Sequence, residues 1–317
     1  MKSKRILVLL SAYNGEKYIS AQIESILHQK TEHQVDLLIR DDGSNDDTLN
    51  ILQEYEMKYS DRIKVVEGEN IGYNKSFFWL IQEANGYDYY SLSDQDDVWL
   101  DNKLDIAVKY LEQEDSKIPL LYASTSYLVH DDLIPFGTTQ KKKREITFYN
   151  TIIQNFLPGH EQVMNQALLD ELKKPIDDTK IYVYDSWITN VAMVKGKIIF
   201  NNDSFVYYRQ HQNNEVGFGE GKIGWFKERV KRIRNNDNKK YAMQIVYFYN
   251  RYREILSIDQ NKELYQFIHS QNNFFLRLRY VIFSRLYRQR KVETFLFKIL
   301  YLLNGYKATN IKGERNG

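Results

Sequence analysis

Cysteine is absent from the 317-residue sequence, which excludes disulfides, cysteine-based zinc sites and thiol nucleophiles. Proline is scarce, with four residues, and this argues against long disordered linkers. No stretch reaches the roughly 20 apolar residues that a membrane-spanning helix needs. The basic N-terminus is followed by only about seven apolar residues and has no small-residue cleavage site. We therefore predict a first strand there and not a signal peptide.

The composition is that of an ordinary folded soluble protein, with 43% hydrophobic and 27% charged residues. The net charge of +2 conceals an asymmetry between two parts of the chain. Residues 1–221 carry 23 Lys and Arg against 35 Asp and Glu, whereas residues 222–317 carry 21 against 7. This division predicts two units, 1–221 and 222–317, and the basic second unit favours an anionic surface.

The first hundred residues alternate between short apolar runs and amphipathic segments. An alternation of strand and helix predicts an α/β fold with an open, mostly parallel sheet and helices on both faces. A further strand at Leu120–Val129 and a helical stretch around Phe148–Phe156 follow, and beyond Gly221 we predict a mainly α-helical region. The predicted early strands are 5–13, 35–44, 61–69 and 87–94, and the predicted early helices are 16–29, 45–59 and 74–84.

Polar residues cluster where the predicted strands end. In an open α/β sheet, ligands bind in the crevice beyond the carboxyl ends of the strands, so four such clusters predict one site. The clusters are Ser11–Gly15, Arg40–Ser44, Asn70–Gly72 and Asp94–Asp97.

The last of these clusters, in the segment SLSDQDDVWLDNK, is strongly acidic. Asp94 and Asp96 are two residues apart, so on an extended strand end their carboxylates point the same way. Their repulsion raises one pKa unless a cation compensates, and Mg²⁺ or Mn²⁺ combines one or two carboxylates with phosphate oxygens and water. The alternative is a strand-to-helix loop in which Asp97 or Asp101 caps the next helix, and we interpret Asp97 as structural.

The second cluster allows two interpretations of Asp41. An aspartate at this strand end can accept a hydrogen bond from the N3–H group of a uracil or thymine ring. The alternative is an Asx turn before the helix that begins near Asp46, with Gly43 supplying the tight backbone. Neither a GxGxxG motif nor a Walker A lysine loop is present, so dinucleotide-binding and P-loop functions lose their main support.

The ordered segments SAYNGEKYISAQIESILHQ, IRDDGSNDDT, NIGYNKSF and SDQDDVW resemble those of family-two glycosyltransferases with a GT-A fold. The subset that carries DQDDVW, DSW and YRQHxNN is most similar to bacterial rhamnosyltransferases of cell-wall and capsular polysaccharide synthesis. The resemblance covers residues 5–218. Each motif is weak by itself, but the ordered set is specific.

The resemblance implies a role for each matching residue. Asp41 would read the pyrimidine N3–H, and Asp94 and Asp96 would form the DxD pair, with Asp96 on the metal and Asp94 on the metal or the ribose. Asp185, in YDSW, matches the catalytic base, and it can also cap its helix. His211 would contact the metal or the diphosphate, or it is a structural histidine. The other implied nucleotide-binding residues are Ser11, Tyr13, Asn14, Asn70, Gly72 and Arg209.

The implied chemistry is an inverting, metal-dependent transfer. The donor would be a pyrimidine-diphosphate sugar, first dTDP-rhamnose and next UDP-galactose or another UDP-hexose. A divalent Mg²⁺ or Mn²⁺ ion would stabilise the departing diphosphate, while Asp185 removes the proton from an acceptor hydroxyl. His160 and Glu161 depart from the apolar or small residues usual after Gly159, so the acceptor pocket is not implied by the resemblance.

The C-terminal region mixes cationic and bulky apolar residues in WFKERVKRIR and in NNFFLRLRYVIFSRLYRQRKVETFLFKILYLL. Helices of this kind lie in the interface of anionic membranes, and we predict a cytoplasmic protein bound peripherally to the inner face of the plasma membrane. A lipid-linked glycan acceptor fits that location. The alternative is a helical bundle with a solvated cationic face. No nucleic-acid recognition motif is present, so nucleic acid is not a predicted partner.

Two other functions are alternatives to the transferase. A catalytically silent relative would bind nucleotide sugars or glycans as an assembly partner, but it need not keep Asp94, Asp96 and Asp185 together. A nucleotidyltransferase on a similar sheet would need an N-terminal glycine-rich phosphate loop with a basic residue, which SAYNGEKY does not provide.

Overall fold

The centre of the fold is a nine-stranded mixed sheet. It is seen in a computed structural model that describes residues 3–139, 141–211 and 235–308. The strands are β1 (Arg5–Ala12), β2 (Gln34–Asp41), β3 (Ile63–Glu67), β4 (Tyr89–Ser93), β5 (Val98–Trp99), β6 (Leu120–Val129), β7 (Pro135–Thr138), β8 (Gln162–Asn165) and β9 (Lys197–Arg209). Their order is β3-β2-β1-β4-β8-β6-β9-β5, and β7 pairs with β6 outside this path.

The first four strands form the parallel half of the sheet. β1 pairs in parallel with β2 and with β4, and β2 pairs in parallel with β3. The central strand β1 is an apolar run whose side chains are buried on both faces, as Ile6, Val8 and Leu9 show. The predicted α/β fold is confirmed, and the predicted strand Leu120–Val129 coincides with β6.

The remaining strands add pairings that the sequence patterns did not predict. β4 and β6 both pair antiparallel with β8, β6 and β9 pair in parallel, and β5 pairs antiparallel with β9. β9 was missed because polar residues interrupt its apolar alternation at Asn201–Ser204. This strand matters for the site, because its pairing of Tyr207 with Val98 brings the end of β9 next to the segment that follows the acid cluster.

The helices in the first two thirds of the chain are α1 (Ile19–Leu27), α2 (Thr48–Lys58), α3 (Tyr73–Glu83), α4 (Lys103–Leu111), α5 (Phe148–Thr151), α6 (Gln166–Leu172) and α7 (Tyr184–Lys195). In α1, Ile19, Ile23 and Ile26 are buried as their helical spacing predicts. The helical stretch predicted around Phe148–Phe156 is wrong beyond Thr151. The β-branched run that continues through Ile152 and Ile153 restricts side-chain rotamers in a helix.

The chain divides into two compact units. The first holds the whole sheet, and the second holds the helices near the C-terminus: α8 (Asp237–Tyr252), α9 (Ile258–His269), α10 (Phe274–Phe283) and α11 (Lys291–Leu302). The mainly helical character predicted for this region is confirmed for the described residues. The first unit comprises Met1–Lys141, Phe156–Ile176 and Tyr184–Gln212, and the second comprises Lys142–Asn155, Asp177–Val183 and Asn213–Gly317.

Buried amide side chains join the separate segments of the second unit. The Gln244 side-chain oxygen accepts hydrogen bonds from the backbone N–H groups of Tyr182 and Val183, at 2.9 Å each. The Gln289 side-chain oxygen accepts two more from residues 143–144, also at 2.9 Å. The domain boundary predicted between residues 221 and 222 lies outside the described residues and stays a prediction.

None of the described helices combines the length and the apolar character needed to span a bilayer.

The junction between α7 and β9 depends on a glycine. A Cβ atom at Gly196 would lie 1.8 Å from the backbone carbonyl oxygen of Pro119, which cannot move without displacing β6. We expect Gly196→Ala to lower the free energy of unfolding by about 3 kcal/mol, the upper part of the usual range for overpacking, as measured by urea denaturation. The matched control is Gly137→Ala, whose Cβ would meet the Leu128 side chain at an ordinary 3.6 Å. Equal stability of the two variants would contradict this packing.

Candidate active site

The polar residues that follow β1, β2 and β4 leave the sheet at the same edge. The register places Ala12 beside Asp41 and Leu10 beside Ser93, so the chain turns out of neighbouring strands at nearly one level. This edge is where open α/β sheets bind their ligands.

Gln95 ties the loop after β4 to the loop after β1. Its side-chain oxygen accepts a hydrogen bond from the backbone N–H of Tyr13 at 2.7 Å, and its amide nitrogen donates to the Tyr13 carbonyl at 2.8 Å. A Cβ atom at Gly15 would lie 2.3 Å from the Gln95 side-chain oxygen, so the glycine is needed for this close approach. Gln95 has no recognisable sequence signal, because a side chain whose hydrogen-bond partner is distant in the sequence produces no local pattern.

The loops after β1 and β2 are joined by a second set of hydrogen bonds. Asn14 has a left-handed backbone, with φ 48°, and its side-chain oxygen accepts from the Asn45 N–H at 2.8 Å. Asp41 is buried, and its Oδ2 accepts from the N–H groups of Gly43 and Ser44 at 3.2 and 3.0 Å. The Asx turn considered for Asp41 is therefore present, and recognition of a pyrimidine by Asp41 stays a prediction.

A buried ion pair positions the loop that follows β3. Arg40 donates to Asp42, whose two carboxylate oxygens also accept from the N–H groups of Ile71 and Gly72 at 3.0 and 2.8 Å. Gly72 has a positive φ of 83°, which favours glycine. The end of β2 thus fixes the backbone of two residues in the predicted nucleotide-side cluster, Asn70–Gly72. The other predicted contact here, Ser11, is hydrogen-bonded to the hydroxyl of Ser76.

The acid cluster after β4 faces two directions. Asp94 Oδ2 and Asp97 Oδ2 lie 3.4 and 3.9 Å from Nδ1 of His160, and the ligand atoms of these three residues all lie within 4.8 Å of one another. Asp96 turns away from them, so the expectation that Asp94 and Asp96 point the same way is wrong, because β4 ends at Ser93 and the chain beyond it is not an extended strand. Oδ2 of Asp96 lies 2.8 Å from Nε2 of His211. We call the first set the inner triad (Asp94, Asp97 and His160) and the second the outer pair (Asp96 and His211).

Asp97 does not cap the next helix. The N-cap position of α4 is Asn102, and no side chain there makes a capping hydrogen bond, so capping by Asp97 or Asp101 is wrong. Asp97 is fully buried, and neither carboxylate oxygen has a hydrogen-bond partner among the described residues. Burial raises the pKa of Asp97 well above its usual value, although the nearby His160 opposes the shift.

Hydrogen bonds fix the orientation of the His160 ring in the inner triad. The Ser126 hydroxyl donates to Glu161 Oε1 at 2.7 Å, so its lone pair is available to accept from Nε2–H of His160, 3.1 Å away. Thr139 donates to the same Glu161 oxygen at 2.8 Å. This network orients the ring so that Nδ1 of His160 faces the carboxylates of Asp94 and Asp97.

His160 lies where a positive charge would compensate these acids. Burial by itself would lower the pKa of His160, but the charges of Asp97, Asp94 and Glu161 raise it to about 9. The nearby carboxylates therefore favour the protonated imidazole. The ligand atoms of Asp94, Asp97 and His160 are also close enough together to hold a metal ion, for which a neutral imidazole is a ligand.

A second buried cationic group, Lys103, lies in the same region. Its ammonium group donates to the Ser91 hydroxyl at 3.0 Å and lies 3.6 Å from the centre of the Trp99 ring. Burial lowers the pKa of Lys103 to about 7, although Glu161 and Asp97 act in the opposite direction. Burial likewise raises the pKa of Glu161 to about 7.

The outer pair is more accessible than the two buried members of the inner triad, Asp97 and His160. The side chains of Asp96 and His211 are 16% and 15% exposed, against 2% for His160. The ring of His211 stacks on Tyr18 with 5.2 Å between centroids, and the Arg209 guanidinium lies 5.0 Å from the same Tyr18 ring. The structure therefore brings together Asp96, Arg209 and His211, three residues predicted from the motifs. The rest of the YRQHQNN motif, from Gln212 onward, lies outside the described residues.

Asp185 lies in the first turn of α7 and not at its N-cap. Its Oδ2 accepts from the N–H of Gly159 at 3.0 Å, and the positive end of the helix dipole favours its charged form. The neighbouring Tyr184 is buried and stacks on Phe77, with 4.2 Å between ring centroids. Burial raises the pKa of Tyr184 well above its usual value, and the charges of Asp94 and Asp185 add to this shift. Both carboxylates thus lie near one tyrosine.

Some residues that shape the site have little or no signal in the sequence. For His160 and Glu161 the signal is their departure from the apolar or small residues usual after Gly159. Gln95, Ser126 and Lys103 carried no signal, because their partners are distant in the sequence.

The compensating role of His160 makes stability depend on pH. Its pKa of about 9 in the folded protein exceeds the unfolded value of about 6.5, so its contribution is fully present below pH 6.5 and is lost as the pH rises through 9. We expect His160→Gln to lower the free energy of unfolding more at pH 6 than at pH 9.5, by up to about 3 kcal/mol, in urea denaturation with EDTA.

The control for this experiment is His28→Gln, at an exposed histidine, which should change stability by less than about 0.5 kcal/mol at either pH. An equal loss for His160→Gln at both pH values would contradict the compensating charge.

Known proteins share the sequence pattern and the fold of this chain. The family model described as "Glycosyl transferase family 2" matches residues 7–172. The Shigella flexneri dTDP-rhamnosyl transferase RfbG is 29% identical over 248 residues, which cover 74% of this chain and 82% of that protein. The uncharacterized protein Rv1520 of Mycobacterium tuberculosis is 36% identical over 215 residues, which cover 63% of this chain and 57% of that protein.

Solved structures share the fold at low sequence identity. S. aureus TarS 1–349 in complex with UDP superposes with a TM-score of 0.55 at 18% identity, covering 86% of this chain and 93% of that chain; a longer TarS chain is covered over 44% of its length. The mannosyltransferase PcManGT of Pyrobaculum calidifontis, in complex with GDP-Man and Mn²⁺, gives 0.57 at 14% identity, covering 96% and 86%. The resemblance seen in the motifs is confirmed: the chain belongs to glycosyl transferase family 2 and is a glycosyltransferase with a GT-A fold.

Proposed function

We propose that this glycosyltransferase moves a sugar from a pyrimidine-diphosphate donor to a hydroxyl of a growing bacterial surface glycan. The observation that carries the proposal is the acid cluster at the carboxyl end of β4, where Asp94 and Asp96 meet two histidines from later segments. The favoured donor is dTDP-rhamnose, because the relative RfbG is named a dTDP-rhamnosyl transferase. UDP-galactose or another UDP-hexose comes next.

The donor nucleotide is proposed to bind at the loops after β1, β2 and β3. Tyr13 is 42% exposed at this edge, which suits a ring that stacks on a base. Asp41 would use a remaining lone pair for the pyrimidine N3–H. The other proposed contacts are Ser11, Asn14, Asn70 and Gly72, with Arg209 near a phosphate oxygen. The hydrogen bonds described above hold these loops before a ligand arrives, which lowers the entropic cost of binding.

The residues present suit a divalent Mg²⁺ or Mn²⁺ ion. Carboxylate oxygens and imidazole nitrogens are suitable ligands for Mn²⁺, and the outer pair offers one of each with access to solvent. We propose that Asp96 and His211 hold the ion and that Asp94, 36% exposed, contacts the ion or the ribose. Bound there, the ion would act as a Lewis acid on the departing diphosphate. His160 remains the internal counter-charge of Asp97.

Asp185 is the proposed general base. Its carboxylate accepts a hydrogen bond from the Gly159 N–H and, like Asp94, lies near Tyr184, which supports a role beside the acid cluster. A base that takes the proton from an acceptor hydroxyl lets that oxygen attack the anomeric carbon opposite the leaving group, which inverts the configuration. The proposed acceptor is a lipid-linked cell-wall or capsular glycan at the inner face of the plasma membrane.

Donor turnover tests this function. We expect one dTDP- or UDP-sugar of a panel, first dTDP-rhamnose, to release its nucleoside diphosphate with Mg²⁺ or Mn²⁺, and EDTA to abolish the release. Asp185→Asn should lower the rate by about 10²- to 10⁴-fold while nucleotide binding, measured by calorimetry, is kept. The exposed Asp170→Asn is the matched control and should keep the wild-type rate. Equal rates for Asp185→Asn and wild type would remove Asp185 as the base.

Metal affinity separates the two sets of acidic residues. We expect Asp96→Asn and His211→Gln each to weaken Mn²⁺ binding at least tenfold, because each removes a ligand, as measured by electron paramagnetic resonance of free Mn²⁺. His160→Gln should stay within about threefold of wild type, since the proposed ion is held by the outer pair and not by the inner triad. The opposite result, with loss in His160→Gln and none in Asp96→Asn, would place the ion in the inner triad.

A further inference from the structure

The last two helices, α10 and α11, expose large apolar side chains. Six of them are 61–76% exposed, an unusual density for two short helices. In α11 and at its C-cap they follow helical spacing, since Val292, Phe295 and Leu303 lie three and eight residues apart and share one side. We call the six residues the outer apolar surface: Phe275, Ile282, Phe283, Val292, Phe295 and Leu303.

The outer apolar surface is separate from the core of this unit. The opposite side of α11 is already packed, because Phe297 and Tyr301 are buried. Tyr301 lies 5.2 Å from the ring of Phe267 and 4.7 Å from that of Tyr280, measured between centroids. A surface helix normally has one apolar stripe and a polar outer face, whereas α11 is apolar on both sides. The second apolar side is available to a partner.

Both helices belong to one packed arrangement. The Arg277 guanidinium, on α10, donates to the carbonyl of Leu302 at the end of α11 at 2.9 Å. It also donates to the carbonyl of Gln271 at 2.7 Å. These hydrogen bonds fix α10 against the end of α11, so the exposed apolar side chains are presented on a formed structure and not on separate segments.

The charge of this segment is strongly one-sided. Residues 274–308 contain eight Lys and Arg and one acidic residue, Glu293, which is buried. Among the cations, Arg279, Arg290, Lys291 and Lys307 are exposed. Exposed apolar side chains interleaved with exposed cations suit a surface that is apolar below and anionic at its boundary.

We propose that the outer apolar surface inserts into the interface of a bilayer that contains anionic lipids, with the surrounding Lys and Arg on the lipid headgroups. Anionic lipid complements the charge of this segment, whereas a second copy of the chain would bring two strongly cationic surfaces together. The inference rests on the proposed function only for its purpose, since docking here would hold the enzyme at the membrane that contains a lipid-linked acceptor.

Vesicle sedimentation tests the proposal with the full chain. Wild type should sediment with phosphatidylcholine vesicles that contain 30 mol% phosphatidylglycerol and much less with phosphatidylcholine alone. The triple variant Phe275→Ser, Ile282→Ser, Phe295→Ser should bind the anionic vesicles at least tenfold more weakly. A charge variant, Arg279→Gln, Arg290→Gln, Lys291→Gln, should also bind more weakly and lose most of the salt dependence. The matched control, Met57→Ser, Ile134→Ser, Ile258→Ser, alters apolar residues of similar exposure elsewhere and should bind as wild type.

Two readouts keep this test independent of the transferase assignment. The triple variant should keep the wild-type melting temperature and donor turnover in solution, because none of its residues belongs to the site. Wild-type affinity of the triple variant for anionic vesicles would overturn the proposal. So would a wild type that ignores vesicles but forms a dimer that the triple variant loses in light scattering, which would assign the surface to self-association.

Discussion

The site is organised around the repulsion among three aspartates at the end of β4, and the ring of His160 lies where its positive charge would offset that repulsion. Two of the carboxylates face that ring, and a relay through Ser126 to Glu161 holds it in position. Asp97 is buried in this network, whereas Asp96 is paired with His211. The structure thus separates the acids that face His160 from the one that faces His211.

The loops of the site are held by contacts between side chains and the backbone of neighbouring loops. Gln95 joins the loops after β4 and β1. Asp42, which is paired with Arg40, fixes the loop after β3 by accepting hydrogen bonds from two of its N–H groups. Because each contact comes from a buried or closely packed residue, the loops have little freedom before a donor binds. The geometry of the site therefore depends on the parallel register of β1, β2 and β4, which brings these loop ends to one edge.

The helical unit near the C-terminus is built on a different principle. Its aromatic core, around Phe267 and Tyr301, packs on one side of α11, while apolar residues on the other side face outward among cations. Soluble proteins seldom keep such a surface exposed without a partner. The acidic part of the chain that holds the candidate active site and this basic, apolar part thus present different surfaces, as the charge asymmetry of the sequence indicates.

The sequence by itself determined the alternating strands and helices, the polar edge of the sheet, the acid cluster and the basic C-terminal region. These features are local, because hydrophobic period and turn residues act over a few positions. Only the tertiary structure decided which acid meets which histidine, that Asp97 is a buried member of a charge network and not a helix cap, and that β9 returns beside β5. Those outcomes depend on contacts between residues that are more than a hundred positions apart in the case of Asp96 and His211, and on the nearby carboxylates, which raise the pKa of the buried His160. Neither the contacts between residues distant in the sequence nor the burial of a side chain can be read from a local pattern.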